Sequence, residues 1–356
     1  MFHHFVAFDP ALWVLLAVFS VVFGCCVGSF LNVCIYRIPL DQSVVKPRSH
    51  CMTCGKLIPW YHNLPVISYF WLRGKCANCK APFSFRYAGV EMLVGFLFLC
   101  VFCMFPPAGA AAPAGIRELF PGAGLWEGTP MRPEEIRTLL LVPVYWIFLS
   151  LLVIGTFTDF DHYIIPDSVT IGGMVTGLVL STLIPEMQQW LVLGGALVVP
   201  AGVSPELVAM DPSVFFSTDP SVAYEHVWYK GFLRSLLGLA VGVLPLQGIR
   251  CLGTWYFRRK GRIGPDDEAM GFGDIKLIGA IGAFLGWQAA VFSIAFAALY
   301  GSVAALVLIA LRRRTLLSRI PFGPYLCLAA LTWVFWGWRL CASYLFLTAP
   351  WNISFV

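Results

Sequence analysis

Eight stretches of this chain are long and apolar enough to dictate its class: 11–35, 87–105, 138–158, 168–184, 230–250, 274–288, 289–311 and 322–346. One helical crossing of a bilayer needs a run of about 20 apolar residues. Hydrocarbon offers no water to satisfy backbone N–H and C=O groups, so a spanning segment must satisfy them itself, as a helix does. Apolar residues make up 59% of the chain and charged residues only 12%, a balance that excludes an ordinary soluble domain. The expected fold is an all-α polytopic membrane protein with about eight transmembrane helices. The run 274–288 is short, and the next begins after Gly286-Trp287-Gln288, so these two are expected to form a tight helical hairpin. Residues 11–35 have no basic residue before them and no small-residue cleavage site after them, and read as a retained first helix.

Charge orients the spans. Segments 36–86, 250–273 and 312–321 hold 17 of the 24 basic residues, whereas 185–229 holds none. Basic loops stay in the cytoplasm. That places both termini and the loops 106–137 and 185–229 outside, and the turn 159–167 inside. The net charge of +5 then reflects membrane orientation, and no nucleic-acid partner is expected. The Pro/Gly/Ala-rich segment 106–137 reads as an extended connection, and Trp190 to Val199 as a surface-lying stretch too short to span. No internal repeat is visible.

Four of the twelve cysteines form Cys51-x-x-Cys54 and Cys76-x-x-Cys79 within the first basic loop. Two such knuckles about 20 residues apart match a tetrathiolate zinc ribbon. A cytoplasmic loop keeps thiols reduced, which argues against disulfides. The stretch is too small and polar for its own core, a deficit that a metal offsets. The expectation is one structural Zn2+ per chain on Cys51, Cys54, Cys76 and Cys79, with no open coordination position. The platform it organises includes Trp60-Tyr61-His62-Asn63-Leu64-Pro65. His3, His4, His50 and His62 read as surface or interfacial residues, and Cys25, Cys26, Cys100 and Cys103 as packing residues within spans.

Two acidic motifs stand at what should be the cytoplasmic ends of helices: Asp159-Phe160-Asp161 with Pro166-Asp167, and Gly271-Phe272-Gly273-Asp274. Carboxylates beside hydrocarbon are expensive and usually functional. Two of them brought together share a proton and activate a water, as in aspartic proteases. Asp167, just before Ser168, reads as a helix cap. Asp159 follows Thr156-Phe157-Thr158 and should still lie at membrane depth. Asp274 opens a span where N–H groups are unpaired. A cap would suffice there, but Gly271 and Gly273 add freedom of backbone angle and close access for an extended peptide.

In order, these motifs resemble the bacterial type IV prepilin peptidases, bifunctional leader peptidases and N-methyltransferases. The resemblance rests on Gly28-Ser29-Phe30-Leu31-Asn32-Val33, Tyr36-Arg37-Ile38-Pro39, both cysteine pairs, Asn63-Leu64-Pro65-Val66, Leu72-Arg73-Gly74-Lys75-Cys76, Arg86-Tyr87, Glu91, both acidic motifs and Ile320-Pro321-Phe322-Gly323-Pro324. It implies that Asp159 and Asp274 are catalytic, and that the substrate is a prepilin or pseudopilin whose basic leader is cut at the cytoplasmic face. It also implies N-methylation of the new terminus, typically Phe, from S-adenosylmethionine, and partnership with pilus or type II secretion machinery in a bacterial inner membrane. No Gly-rich dinucleotide-type fingerprint marks a site for that methyl donor; Gly74 and Glu91 are the candidates for the methyltransferase half. The family often has an acid where His62 stands, and the two outer loops are longer than usual. The organisation expected is a first transmembrane helix (1–35), a cytoplasmic zinc-binding domain (36–86), a second helix with an outer loop (87–137) and a membrane aspartic peptidase domain (138–356). A peptidase without methyltransferase activity is one alternative, and an ion-coupled transporter another; the latter binds near the bilayer midplane, often in paired repeats.

Overall fold

The computed structural model describes residues 10–104, 133–185, 187–188, 228–261, 264, 268, 270–311 and 321–348. His3, His4, most of the two long loops with Trp190 to Val199, and Arg262, Arg312, Arg313, Arg314 and Arg319 lie outside the described residues.

The regular elements among the described residues are helices, with no strand and only two isolated β-bridges. The helices are α1 (Pro10–Arg37), α2 (Ile67–Trp71), α3 (Arg86–Met104), α4 (Pro133–His162), α5 (Asp167–Leu183), α6 (Trp228–Arg259), α7 (Phe272–Leu285), α8 (Trp287–Ala310) and α9 (Gly323–Thr348). Every apolar run read from the sequence is matched by one of them. By length and apolarity, five are able to cross a membrane: α1, α3, α4, α6 and α8. The 17-residue α5 and the Gly323–Gly337 part of α9 are shorter apolar helices. The 14 residues of α7 reach only about 21 Å at about 1.5 Å per residue, less than the hydrocarbon thickness.

The chain divides into two compact units, Met1–Pro166 and Asp167–Val356. In the first, α3 packs along α1, and α4 packs on both. Small residues let the α1 and α3 backbones meet: a Cβ on Gly24 would lie 2.8 Å from Gly95 Cα, and one on Gly28 would lie 2.8 Å from Glu91 Cα. Such small-residue seams are the membrane substitute for hydrophobic association. Cys25 Sγ fills the space against Gly95, and Cys103 is buried with Trp13, Ala17 and Phe102, in keeping with packing roles. Trp146 of α4 stacks on Phe98 of α3 at 4.6 Å and donates its indole N–H to the Phe98 carbonyl at 3.0 Å.

In the second unit, α7 is the core: every residue from Leu277 to Leu285 is buried. Helices α5, α6, α8 and α9 all pack on it. Its junction with α6 is backbone on backbone, since a Cβ on Gly238 would lie 2.1 Å from Gly282 O and one on Gly282 would lie 2.1 Å from Gly238 O. Ser235 Oγ (2.7 Å) and Gln188 Nε2 (3.0 Å) both donate to the Ala283 carbonyl. The expected hairpin is present: Gly286, with φ 89°, ends α7 and also precedes the first residue of α8.

Candidate active site and metal centre

The loop between α1 and α3 is built from two matching knuckles. Cys51 N–H donates to Lys56 O and Gly55 N–H to Cys51 O; Cys76 N–H donates to Ala81 O and Lys80 N–H to Cys76 O. The residue after each second cysteine takes a left-handed conformation, Gly55 at φ 68° and Lys80 at φ 61°. Gly adopts this without strain, whereas Lys80 must be held there. The turns aim backbone N–H groups at sulfur. The Cys51 thiol is lowered to about 6, chiefly by the N–H of Cys54 and then that of Thr53. The Cys76 thiol is lowered by the N–H groups of Cys79 and Asn78. Cys79 receives the Ala81 N–H, yet desolvation and the neighbouring thiols push it up to about 11. All four Sγ atoms lie within 4.8 Å of one another, and Cys51 and Cys79 are 3.8 Å apart. Tetrahedral zinc with Zn–S bonds of about 2.3 Å requires S···S edges of about 3.8 Å, so the donor set fits that ion. Among the described residues this is the one cluster able to hold a metal. His50 and His62 are not in it: His50 Nδ1 lies 3.1 Å from Arg48 O, and the His62 ring stands 4.6 Å from that of Tyr61.

Between the knuckles the backbone is bent around Val66, at φ 61° and ψ −53°. The Ile67 N–H donates to Pro65 O at 2.5 Å, which makes this a γ-turn of the rare positive-φ kind, strained for a β-branched residue. The freed Val66 N–H donates to Glu91 Oε2 at 2.7 Å, and Ser29 also hydrogen-bonds that carboxylate. Glu91 is buried in α3, so this bond ties the platform to the helix. Gly74 has φ 64°, and a Cβ there would lie 2.9 Å from Tyr69 Oη. Both methyltransferase candidates therefore hold the platform in shape: Gly74 relieves a turn under Tyr69, and Glu91 holds the γ-turn.

In the Asp159–Asp161 turn the two acids have different environments. Asp159 is buried in the last turn of α4, beside the fully buried Thr158, which bonds Ile154 O at 2.8 Å. Asp161 lies outward and is gripped by Arg86 of α3 through two parallel bonds of 2.7 and 2.5 Å. The Arg86 guanidinium also covers the Phe157 ring at 5.1 Å. Tyr163, at φ 55°, stops the helix. The motif order hinted at Arg86, but its partner was not foreseen.

In the second unit, Gly271 precedes α7 with φ −64° and ψ 136°, and Asp274 stands in the first turn. A Cβ on Gly271 would lie 3.5 Å from Asp274 Oδ2, so the carboxylate rests against this glycine. Neither Gly271 nor Gly273 has a positive φ, so the expected need for unusual backbone angles is not what these glycines serve; at Gly271 the missing side chain leaves space beside the carboxylate. Asp167 is the first residue of α5, one place past the cap position expected of it, and its carboxylate receives Lys276 Nζ at 2.6 Å. Phe272 lies between cations, with Lys276 Nζ at 4.4 Å and Arg250 Cζ at 4.8 Å from its ring. Arg250 is in turn paired with Glu268.

Comparison with known proteins agrees with this arrangement of motifs. Residues 22–105 match the bacterial peptidase A24 N-terminal domain, and residues 146–306 match the type IV leader peptidase family. A prepilin leader peptidase/N-methyltransferase of Myxococcus xanthus is 33% identical over 295 residues, 83% of this chain and 64% of that protein. Proteins of the same name from Pseudomonas putida (27% over 361 residues, 95% of this chain and 96% of that protein) and Aeromonas hydrophila (29% over 353 residues, 92% and 93%) match nearly end to end. No solved structure matches. With both domains of the architecture matched in order and relatives aligned along nearly the whole chain, this protein belongs to the type IV leader peptidase family.

Proposed function

We propose that this protein removes the leader peptide of prepilins or pseudopilins at the cytoplasmic face of a bacterial inner membrane, then N-methylates the new amino terminus from S-adenosylmethionine. The observation that carries this reading is the end-to-end match to relatives named for both activities. The same names favour it over a peptidase without methyltransferase activity.

Asp159 and Asp274 are the proposed catalytic pair. One carboxylate, ionised, takes a proton from a water whose oxygen adds to the scissile carbonyl carbon. The other, protonated, donates a hydrogen bond to the carbonyl oxygen. The tetrahedral species then expels the amine, which takes up a proton, leaving a carboxylate on the leader and a free amino terminus. Two interacting carboxyls titrate as a pair, so neither carries a role fixed in advance. The burial of Asp159 and the open space at Gly271 beside Asp274 support these assignments. Arg86 neutralises Asp161, the other acid of the turn, and so sets it apart from Asp159.

The four cysteines would hold one zinc, which supplies folding energy to the platform and no reactive position. Eight spans, with segments 36–86 and 250–273 in the cytoplasm, agree with the basic residues those segments carry. Methylation moves a methyl group from the sulfonium of the donor to the amine nitrogen, which loses a proton. Gly74 and Glu91 contribute by shaping the platform. The partners on this reading are the pilin substrate, the bilayer and the pilus or secretion machinery that uses the product.

The test is incubation of the purified protein with a prepilin and isotopically labelled S-adenosylmethionine, followed by mass spectrometry. The mature pilin should appear both shortened by its leader and carrying the label. A substrate that stays intact would overturn the peptidase assignment; a shortened but unlabelled product would overturn the methyltransferase half.

A further inference from the structure

The platform between α1 and α3 carries an apolar surface that its own fold does not use. Trp60 is 72% exposed, Ile67 59%, Phe70 59% and Trp71 81%. Leu64 is also exposed. Side chains this bare protrude from the short helix α2 and the turn before it, rather than lining a groove that would enclose a peptide.

The level of this surface follows from the Glu91 bond. Helix α3 has 19 residues and is apolar enough to cross a bilayer. At about 1.5 Å per residue it is about 28 Å long, close to the full hydrocarbon thickness of about 30 Å. It has no length to spare outside the membrane. Glu91 is the sixth residue of α3, about 7.5 Å from its start, and its carboxylate holds the Val66 N–H at 2.7 Å. Val66 therefore lies at the edge of the hydrocarbon, and Ile67 to Trp71 follow directly. Aromatic rings with an apolar body favour this zone.

Charge agrees. From Tyr36 to Arg86 the sequence contains Arg37, Lys46, Arg48, Lys56, Arg73, Lys75, Lys80 and Arg86 against a single acid, Asp41. Arg73 and Lys75 come immediately after α2. Juxtamembrane basic residues are drawn to anionic lipid.

We infer that the zinc platform is itself a membrane-interface module: α2 and the turn before it insert Trp60, Ile67, Phe70 and Trp71 among the lipids, while Arg73 and Lys75 bind anionic headgroups. The inference rests on the proposed topology, in which this loop faces the anionic cytoplasmic leaflet. The consequence is positional. The Glu91-held turn and the inserted rings fix the platform at the level where a membrane-embedded substrate emerges.

The experiment uses the full-length protein in nanodiscs of phosphatidylethanolamine with phosphatidylglycerol, carrying a photoreactive phenylalanine analogue at Trp71 or, separately, at Trp60. Retained prepilin cleavage shows that each labelled protein is folded, and it tests the functional reading independently. Irradiation should yield lipid adducts at both positions by mass spectrometry. Arg73→Gln with Lys75→Gln should lower the phosphatidylglycerol adducts by about fivefold per basic residue removed. Adducts to added prepilin instead of lipid would overturn the inference in favour of a protein-binding surface. Cleavage-competent protein giving no lipid adduct at either position would overturn it outright.

Discussion

Asp159 and Asp161 are two residues apart and have opposite fates: one buried in the last turn of α4, one held outward by Arg86. A buried carboxyl can share a proton with a second acid; one held in a bidentate guanidinium pair has both oxygens occupied as acceptors. Asp159→Asn and Asp274→Asn should each lower cleavage by on the order of a thousandfold while leaving the protein folded, as measured by turnover of a purified prepilin. Normal turnover in either variant would remove that residue from the mechanism. Asp274→Asn should still methylate a pre-cleaved pilin, because the candidates for that activity lie in the platform and α3. The Arg86–Asp161 pair gives a separate test. Arg86→Asp and Asp161→Arg should each reduce kcat/KM on the order of tenfold by displacing the turn, and the double exchange should recover most of the loss. Singles without effect, or a double as poor as the singles, would leave this pair without a positioning role.

Among the long apolar helices, α7 is the shortest and the most deeply buried. Its burial comes from its composition: the mixture of small and large apolar residues from Leu277 to Leu285 lets four helices close around it. The α6 contact is the tightest point, because Gly238 and Gly282 each occupy the space where the other's side chain would be. Gly238→Leu should push these helices apart and destabilise the second unit by about 1–3 kcal/mol or more. A thermal-shift assay in detergent would read it as a lowered midpoint, with cleavage falling in parallel since α7 carries Asp274. An unchanged midpoint would mean that the crossing relaxes at little cost. Gly286 makes a different demand: its φ of 89° lets α7 turn into α8 with no intervening loop.

At the scale of the whole molecule, sequence families and packing draw different lines. The peptidase family match begins at residue 146, yet the compact units divide at Pro166, and α4 packs on α1 and α3 through Trp146 and Phe98. The helix that bears Asp159 is thus peptidase by sequence and a neighbour of the platform helices by contact. The platform depends on its four thiols. Any single Cys→Ser at 51, 54, 76 or 79 should release the zinc, detectable by elemental analysis, and disorder residues 50–82 while α5 to α9 persist. Structural zinc is worth on the order of 10 kcal/mol to such a domain. With Cys51 at about 6 and Cys79 at about 11, neutral metal-free protein holds a thiolate at the first and a proton at the second. Zinc uptake at neutral pH should therefore release protons, Cys79 among the sources. Retention against a chelator should weaken as pH falls across the neutral range, and more steeply below about 6, where Cys51 also becomes protonated. Retention unchanged below that pH would argue against thiolate ligation.

Helix positions were legible from the chain alone because membrane burial is a local demand: each span must be apolar along its own length, whatever its neighbours are. The thiol cluster was legible for a similar reason, since each pair of ligands sits within one knuckle. The two acidic motifs were visible by their cost beside apolar runs. What the chain could not disclose were the bonds that converge from a distance: Val66 with Glu91, 25 residues apart, Arg86 with Asp161, 75 apart, and Asp167 with Lys276, 109 apart. Nor did it show that Gly74 and Glu91 serve the shape of the platform, or that Gly271 has an ordinary φ beside Asp274. Those facts depend on which helices touch and at what register. Hydropathy places a helix in the membrane, but only packing decides which of its side chains meet.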